Sequence, residues 1–139
     1  MPKVGTVLNR PKPKIGAILP YFGGKRMMAD LIAKQLGKHS TYWEPFCGSL
    51  AVLLAKPAVG METVCDLYND LINLAKCIQD PEARKRLHER LYLTSPSDVL
   101  YSESFVALQR TALQLNGLDE NRAYHLFVAS WLGRNGLSG

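Results

Sequence analysis

Long apolar runs are missing from this sequence of 139 residues. No stretch of about 18 apolar residues occurs, so we expect no transmembrane helix. The N-terminus lacks an apolar core of signal-peptide length, which favours a cytoplasmic protein. The composition is 47% hydrophobic and 21% charged, which excludes a disordered or collagen-like chain. The length is that of about one domain.

Cysteine and histidine are also scarce. The three cysteines are separated by 18 and 12 residues, and these spacings match neither zinc nor redox motifs: Cys47, Cys65 and Cys77. The three histidines are equally scattered. We therefore expect reduced, partly buried thiols and no metal site.

Acidic residues are nearly absent from residues 1–40. That segment has eight Lys or Arg and one acid, Asp30, so its net charge is +7. The remainder has nine basic and eleven acidic residues and a net charge of −2. Residues 1–14 are rich in proline and basic residues and predict an extended arm. Such an arm fits a protein that binds phosphates, although a solvated tail also explains the charge.

Strand and helix patterns alternate in the first half of the chain. An apolar segment, 15–22, precedes two glycines, and the strand-like segments number about three, including 41–44 and 62–66. Short helices are predicted at 50–54 and 71–79. Another is predicted to end at Gly37, with one face formed by Met28, Leu31, Ile32, Gln35 and Leu36. This order is typical of a nucleotide-binding α/β sheet.

The second half is predicted to be mainly helical. Asp80-Pro81 opens a helix over 81–93, and 94–97 form a turn. A second helix is lined by Phe105, Leu108, Ala112 and Leu115, and ends at Asn116-Gly117. A third helix opens at Asp119-Glu120 and directs inward Ala123, Leu126, Phe127, Ser130 and Trp131.

Three groups of residues suggest a ligand pocket. Gly23-Gly24-Lys25 places a cation and backbone N–H groups before a helix, which suits an anion but also describes a simple turn. Gly48 follows a strand and permits close approach of an adenosine-type ligand. Asp66 follows the next strand, where an acid accepts hydrogen bonds from ribose hydroxyls or caps a helix. Their order describes a pocket for a ligand with a ribose and an anionic end.

The blocks 20–25, 44–49 and 66–70 resemble motifs of the Dam-type adenine-specific DNA methyltransferases, especially phage and prophage members. The segment 131–137 is similar to the start of that family's target-recognition region. The resemblance implies an α/β fold, with an incomplete Rossmann-like S-adenosylmethionine-dependent methyltransferase sheet followed by a mostly helical segment. It divides the chain into an arm (1–14), a cofactor-binding part (15–80) and a helical segment leading into target recognition (81–139).

The resemblance also implies ligands and site residues. S-adenosylmethionine would be the cofactor and double-stranded DNA the substrate. Lys25 would bind the carboxylate end of the cofactor, and Asp66 would bind its ribose. The full set of implied cofactor contacts is Tyr21, Phe22, Gly23, Lys25, Glu44, Phe46, Gly48, Ser49 and Asp66. Arg134 and Asn135 would contact DNA.

Two departures from the family pattern affect the expected activity. Leu50 stands where many members have a second glycine, and the catalytic Asp-Pro-Pro-Tyr signature does not occur. No catalytic residue is therefore assigned. We expect the N-terminal portion of a methyltransferase, with little turnover alone, an exposed strand edge and apolar patch, and association with itself or a partner chain. The alternatives are a non-catalytic DNA-binding remnant and a scaffold subunit.

Overall fold

The computed structural model describes residue 11, residues 13–113 and residues 116–133. A 3-10 turn at Lys25–Met27 precedes the regular elements. In chain order these are α1 (Ala29–Gln35), β1 (Thr41–Glu44), α2 (Ala51–Ala55), β2 (Met61–Val64), α3 (Asn69–Gln79), α4 (Pro81–Tyr92), α5 (Asp98–Arg110) and α6 (Glu120–Leu132). The chain forms two compact units, one containing residues 23–67 and the described residues up to 18, the other 19–22 and the described residues from 68 onward.

The first unit is a small parallel sheet with two short helices. β1 and β2 pair in parallel, from Thr41 opposite Met61 to Glu44 opposite Val64. Its core contains Ala29, Tyr42, Ala51, Val52 and Val59. The other face of β1 is exposed at Trp43, and Met61 is exposed on β2. The predicted exposed apolar surface is therefore present.

The predicted third strand is wrong. Between residues 13 and 113 and between 116 and 133, only β1 and β2 are strands. Residues 15–22 run irregularly, although Ile18 N–H donates to the Ser49 carbonyl at 3.0 Å. Gly16 and Pro20 interrupt this apolar segment, and proline cannot donate to a strand ladder.

The predicted helix before Gly37 is confirmed, but its buried face differs from the predicted one. Met28, Leu31 and Leu36 are exposed, whereas Ala29 is buried and Ile32 packs on the core. α1 contacts α2 and the 3-10 turn, and Ala29 and Ile32 form its contact with the core. Spacing alone did not identify which of two adjacent stripes faces the neighbouring helix.

The second unit is a bundle of α3 to α6 in which α6 contacts each of the other three helices. Three helices begin with a side-chain cap, two of them at the predicted starts Asp80 and Asp119 and one at Ser97, in the predicted turn. Asp80 accepts from the Ala83 N–H at 2.8 Å, Ser97 from the Leu100 N–H at 3.1 Å, and Asp119 from the Arg122 N–H at 2.9 Å. The pairing of Asn73 with the backbone of Asp119, at 2.8 and 3.0 Å, joins α3 to the start of α6.

Two details of the helical prediction are corrected. The helix α5 ends at Arg110, so Ala112 lies beyond it and is exposed, and Leu115 lies outside the described residues. Trp131 is 56% exposed, not inward. It shares a helical stripe with Phe127, whose ring is 6.0 Å away, whereas the buried stripe of α6 contains Ala123, Leu126 and Ser130.

Candidate functional site

The glycine turn and the predicted ribose-binding acid lie together in the first unit. β1 and β2 are parallel, so the segments that follow them leave the sheet at the same edge. The N–H of Gly48 donates to Oδ2 of Asp66 at 2.9 Å. Gly48 has φ of +50°, in the left-handed region that glycine adopts at little cost. The 18-residue separation in sequence thus becomes a direct contact.

Backbone hydrogen bonds hold this turn in place. Cys65 N–H donates to the Glu44 carbonyl at 2.9 Å, and Cys47 N–H donates to the Cys65 carbonyl at 3.0 Å. These two bonds continue the strand pairing beyond Val64 and fix the entry to the turn. Ser49, which is 3% exposed, leaves the turn into the core. The site is therefore built on a rigid part of the unit.

Lys25 lies at the same turn. Its Nζ donates to Oε1 of Glu44 at 2.8 Å and also contacts the carbonyl of Phe46. The Glu44 residue is 6% exposed, whereas the Lys25 side chain is 36% exposed. The ammonium group is therefore accessible at the surface, while its carboxylate partner is fixed inside.

Leu50 has a backbone conformation that usually belongs to glycine. Its φ is +63° and its ψ is 22°, and it directly precedes α2. Left-handed backbone costs a residue with a Cβ about 1–2 kcal/mol. Leu50 is 7% exposed. It therefore has the backbone conformation expected of the glycine that many members of the similar family have here, and it adds a buried side chain.

The thiol of Cys47 in the turn is mostly protonated. Burial, together with the nearby carboxylates of Asp66 and Glu44, raises the pKa of Cys47 to about 11. The thiolate is therefore scarce at neutral pH. The carboxylates of Asp66 and Glu44 favour the neutral thiol of Cys47, and the ammonium group of Lys25 opposes this effect.

The other predicted residues fall into three groups. Gly23 has φ of +68° and belongs to the first unit, with open space where a Cβ would stand. Tyr21 and Phe22 belong to the second unit, where Tyr21 acts on the pKa of Tyr68. Arg134 and Asn135 lie outside the described residues.

Sequence reasoning missed four residues around the turn. Phe46 was predicted, whereas Leu67 was not; Leu67 directly follows Asp66 and is 90% exposed. Tyr42 donates to Glu44, and the buried Lys56 lies over the Tyr42 ring and pairs with Glu62, whose side chain is 26% exposed. The alternation of Tyr42 and Glu44 along β1 was the available signal, because alternate strand residues share one face.

No group of three or more His, Cys, Asp or Glu side chains suited to a metal ion occurs in the described part of the chain. A cavity of about 210 Å³ in the first unit lies apart from the turn, and Lys14 and Arg26 are among its lining residues. Within the residues that the structure covers, none of the helices is long and apolar enough to cross a membrane.

Comparison with known proteins identifies a family. The family model of the D12 class N6 adenine-specific DNA methyltransferases matches residues 21–137, a range that includes Lys25, Gly48 and Asp66. No curated protein and no solved structure matches the chain. The mixture of helices and a small parallel sheet is compatible with a methyltransferase fold. The chain belongs to the D12 class N6 adenine-specific DNA methyltransferase family.

Proposed function

We propose that this chain binds S-adenosylmethionine at the glycine turn and serves methyl transfer to the exocyclic amine of adenine in double-stranded DNA. The observation that carries the proposal is the 2.9 Å hydrogen bond from Gly48 N–H to Asp66. It joins the glycine turn and the acid at the carboxyl edge of two parallel strands, where open α/β sheets bind nucleotides. We further propose that the first unit has a Rossmann-like arrangement.

The residues at the turn fit the parts of this cofactor. A carboxylate accepts up to about four hydrogen bonds, so Asp66 can bind ribose hydroxyls while it binds Gly48. The exposed side chains of Phe46 and Leu67 offer apolar surface for the flat base. Lys25, accessible at the surface, supports binding of the amino-acid carboxylate.

The net charge of the turn also supports binding of S-adenosylmethionine. The turn has one more carboxylate than ammonium group, because Glu44 and Asp66 outnumber Lys25. S-adenosylmethionine has a sulfonium and an ammonium group and one carboxylate, so its net charge is opposite to that of the turn. When bound, the cofactor supplies an electrophilic methyl group.

The adenine must be placed by other groups. The sequence contains no Asp-Pro-Pro-Tyr, the signature that the resemblance assigns to holding the flipped base. We therefore infer that this chain provides the cofactor-binding part of the reaction and that its methyl transfer alone is slow. The proposed division is an arm (1–14), the cofactor-binding part (15–80) and the helical segment leading into target recognition (81–139), with Arg134 and Asn135 as DNA contacts. Gly23 and Ser49, which belong to the same unit as the turn, complete the proposed cofactor contacts; the roles of Tyr21 and Phe22 rest on the resemblance alone.

Calorimetric titration with S-adenosylmethionine tests the proposal. We expect saturable binding by the unsubstituted chain and a loss of about tenfold or more in Asp66→Asn, since a hydrogen bond to a charged group contributes about 1.5–3 kcal/mol. Asp98→Asn is the control, because Asp98 is an exposed acid on α5 in the other unit. No saturable binding by a folded chain, or equal losses in both variants, would refute the proposed site.

A second candidate function is DNA binding without a cofactor. It is favoured by the net charge of +7 in residues 1–40 and by the cavity lined by two cations, Lys14 and Arg26, and one acid, Asp30. Binding to DNA phosphates weakens steeply with salt because counterions are released. Salt-dependent DNA binding combined with an absence of cofactor binding would favour this candidate.

A further inference from the structure

Tyr42 and Glu44 form a buried polar pair in the first unit. They alternate along β1, and each is 6% exposed. The Tyr42 ring is part of the core with Ala29, Ala51 and Val52. Its hydroxyl donates to Oε2 of Glu44 at 2.7 Å. A buried carboxylate without such donors would be costly, so this hydroxyl fixes the orientation of the Glu44 side chain.

The pair connects the core to the surface of the turn. Glu44 uses Oε2 for Tyr42 and Oε1 for the ammonium group of Lys25. Lys25 has four methylene groups and many rotamers, so an exposed ammonium group is ordinarily mobile. Here the ion pair and the contact with the Phe46 carbonyl keep it beside the turn.

A buried cation, Lys56, lies over the ring of Tyr42. The Lys56 side chain has no exposed surface, and its Nζ lies 4.5 Å from the centre of the Tyr42 ring. It forms an ion pair with Glu62 and donates to the Pro57 carbonyl at 2.8 Å. A cation above the ring face is attracted to the ring, which restrains the ring position. Tyr42 is therefore held at its hydroxyl by Glu44 and at its ring face by Lys56.

We propose that Tyr42 is a positioning residue of the cofactor site, acting through Glu44 to hold the Lys25 ammonium group where the carboxylate of the cofactor binds. This inference rests on the proposed function. Tyr42 itself does not touch the cofactor. It reduces the rotamer freedom that Lys25 would otherwise lose on binding.

Affinity for S-adenosylmethionine provides the first test. Tyr42→Phe should weaken binding about tenfold, equivalent to about 1.4 kcal/mol. Tyr124→Phe is the matched control, because Tyr124 is also 6% exposed and its hydroxyl also has a partner, Thr94 Oγ1, at 3.0 Å. Tyr124 even has a cation, Arg90, over its ring. The control should leave the affinity unchanged.

A double substitution separates positioning from general loss of structure. In a Lys25→Met background the ammonium group is gone, so Tyr42→Phe should cause no further loss of affinity. Coupled residues show such non-additivity, whereas independent effects add. Equal losses from Tyr42→Phe with and without Lys25, or no loss with Lys25 present, would overturn the proposal.

Chemical labelling tests the contact without any cofactor. Acetic anhydride modifies accessible lysine amines, and peptide mass spectrometry gives the rate at each lysine. Tyr42→Phe should raise the rate at Lys25 about threefold by weakening a charge-assisted contact, and should not change that at exposed Lys34 on α1. An unchanged rate at Lys25 would refute the positioning. An absence of cofactor binding by the unsubstituted chain would instead refute the proposed function, and the labelling would still report on Tyr42.

Discussion

Replacing Arg122 by methionine should remove much of the stability of the second unit. Arg122 on α6 forms a buried ion pair with Asp70 on α3, and its Nη2 lies 2.9 Å from Oδ2. The same nitrogen donates to the Leu108 carbonyl of α5 at 3.0 Å, and Nη1 donates to Thr111 Oγ1 at 3.0 Å. One guanidinium group therefore connects three helices. Methionine retains the apolar stem without the charge.

The magnitude follows from burial. The Arg122 and Asp70 side chains are only 11% and 4% exposed. Removing one partner of a buried pair leaves the other charge uncompensated, at a cost of about 3–5 kcal/mol. The pair also raises the pKa of Arg122, chiefly through the hydrogen bonds to Asp70, so its charge is retained throughout the accessible pH range. A loss of this size is a large part of the about 5–15 kcal/mol that stabilises a typical domain.

Arg86→Met is the matched control. Arg86 on α4 also pairs with a carboxylate through two nitrogens, that of Glu120 on α6. These side chains are 56% and 32% exposed, so water and salt screen the pair. We expect little or no measurable loss of stability. The double variant Asp70→Asn with Arg122→Met should recover part of the loss, because no charge is then left buried alone.

The two tryptophans allow the units to be followed separately. Trp43 lies in the first unit and Trp131 in the second, and the sequence contains no other. In a Trp43→Phe background, urea unfolding monitored by tryptophan fluorescence reports on α6. Equal shifts in the Arg122→Met and Arg86→Met midpoints would refute the argument from burial. So would a double variant less stable than Arg122→Met alone.

Three further predictions concern titration, thiols and backbone strain. Burial lowers the pKa of His125, so below about pH 6.5 the unfolded chain binds more protons than the folded chain. The free energy of unfolding should therefore fall as the pH falls. Urea titrations should show a weaker dependence of this free energy on pH in His125→Asn. Iodoacetamide at pH 8 should modify exposed Cys65 first, since burial raises the pKa of both Cys47 and Cys77 to about 11. Early modification of Cys47 or Cys77, detected by mass spectrometry, would contradict this. Leu50→Gly should be more stable than Leu50→Ala by about 1 kcal/mol in thermal unfolding, reversing the usual order, because only glycine relieves the left-handed backbone.

Local signals predicted most of the elements. Capping residues such as Asp80 and Asp119 mark helix starts because their carboxylates bind the first N–H groups, a contact within three residues. The parallel strands, the glycine turn at Gly48 and the acid at Asp66 were likewise readable in order. The strand segments, the turn and the position of the acid each depend on neighbours along the chain, whereas the strand pairing and the Gly48–Asp66 contact join residues about 20 positions apart.

Contacts between distant residues were decided only by the tertiary structure. Composition gave no sign that Lys56 would be buried against Tyr42, or that Arg122 would reach Asp70, 52 positions earlier. The outward position of Trp131 also depended on which stripe of α6 its neighbours covered. The sequence by itself therefore determined the family, the order of the helices and of the two paired strands, and the proposed ligand-binding turn. The tertiary structure decided which charges are buried, because burial and pairing depend on side chains that packing brings together.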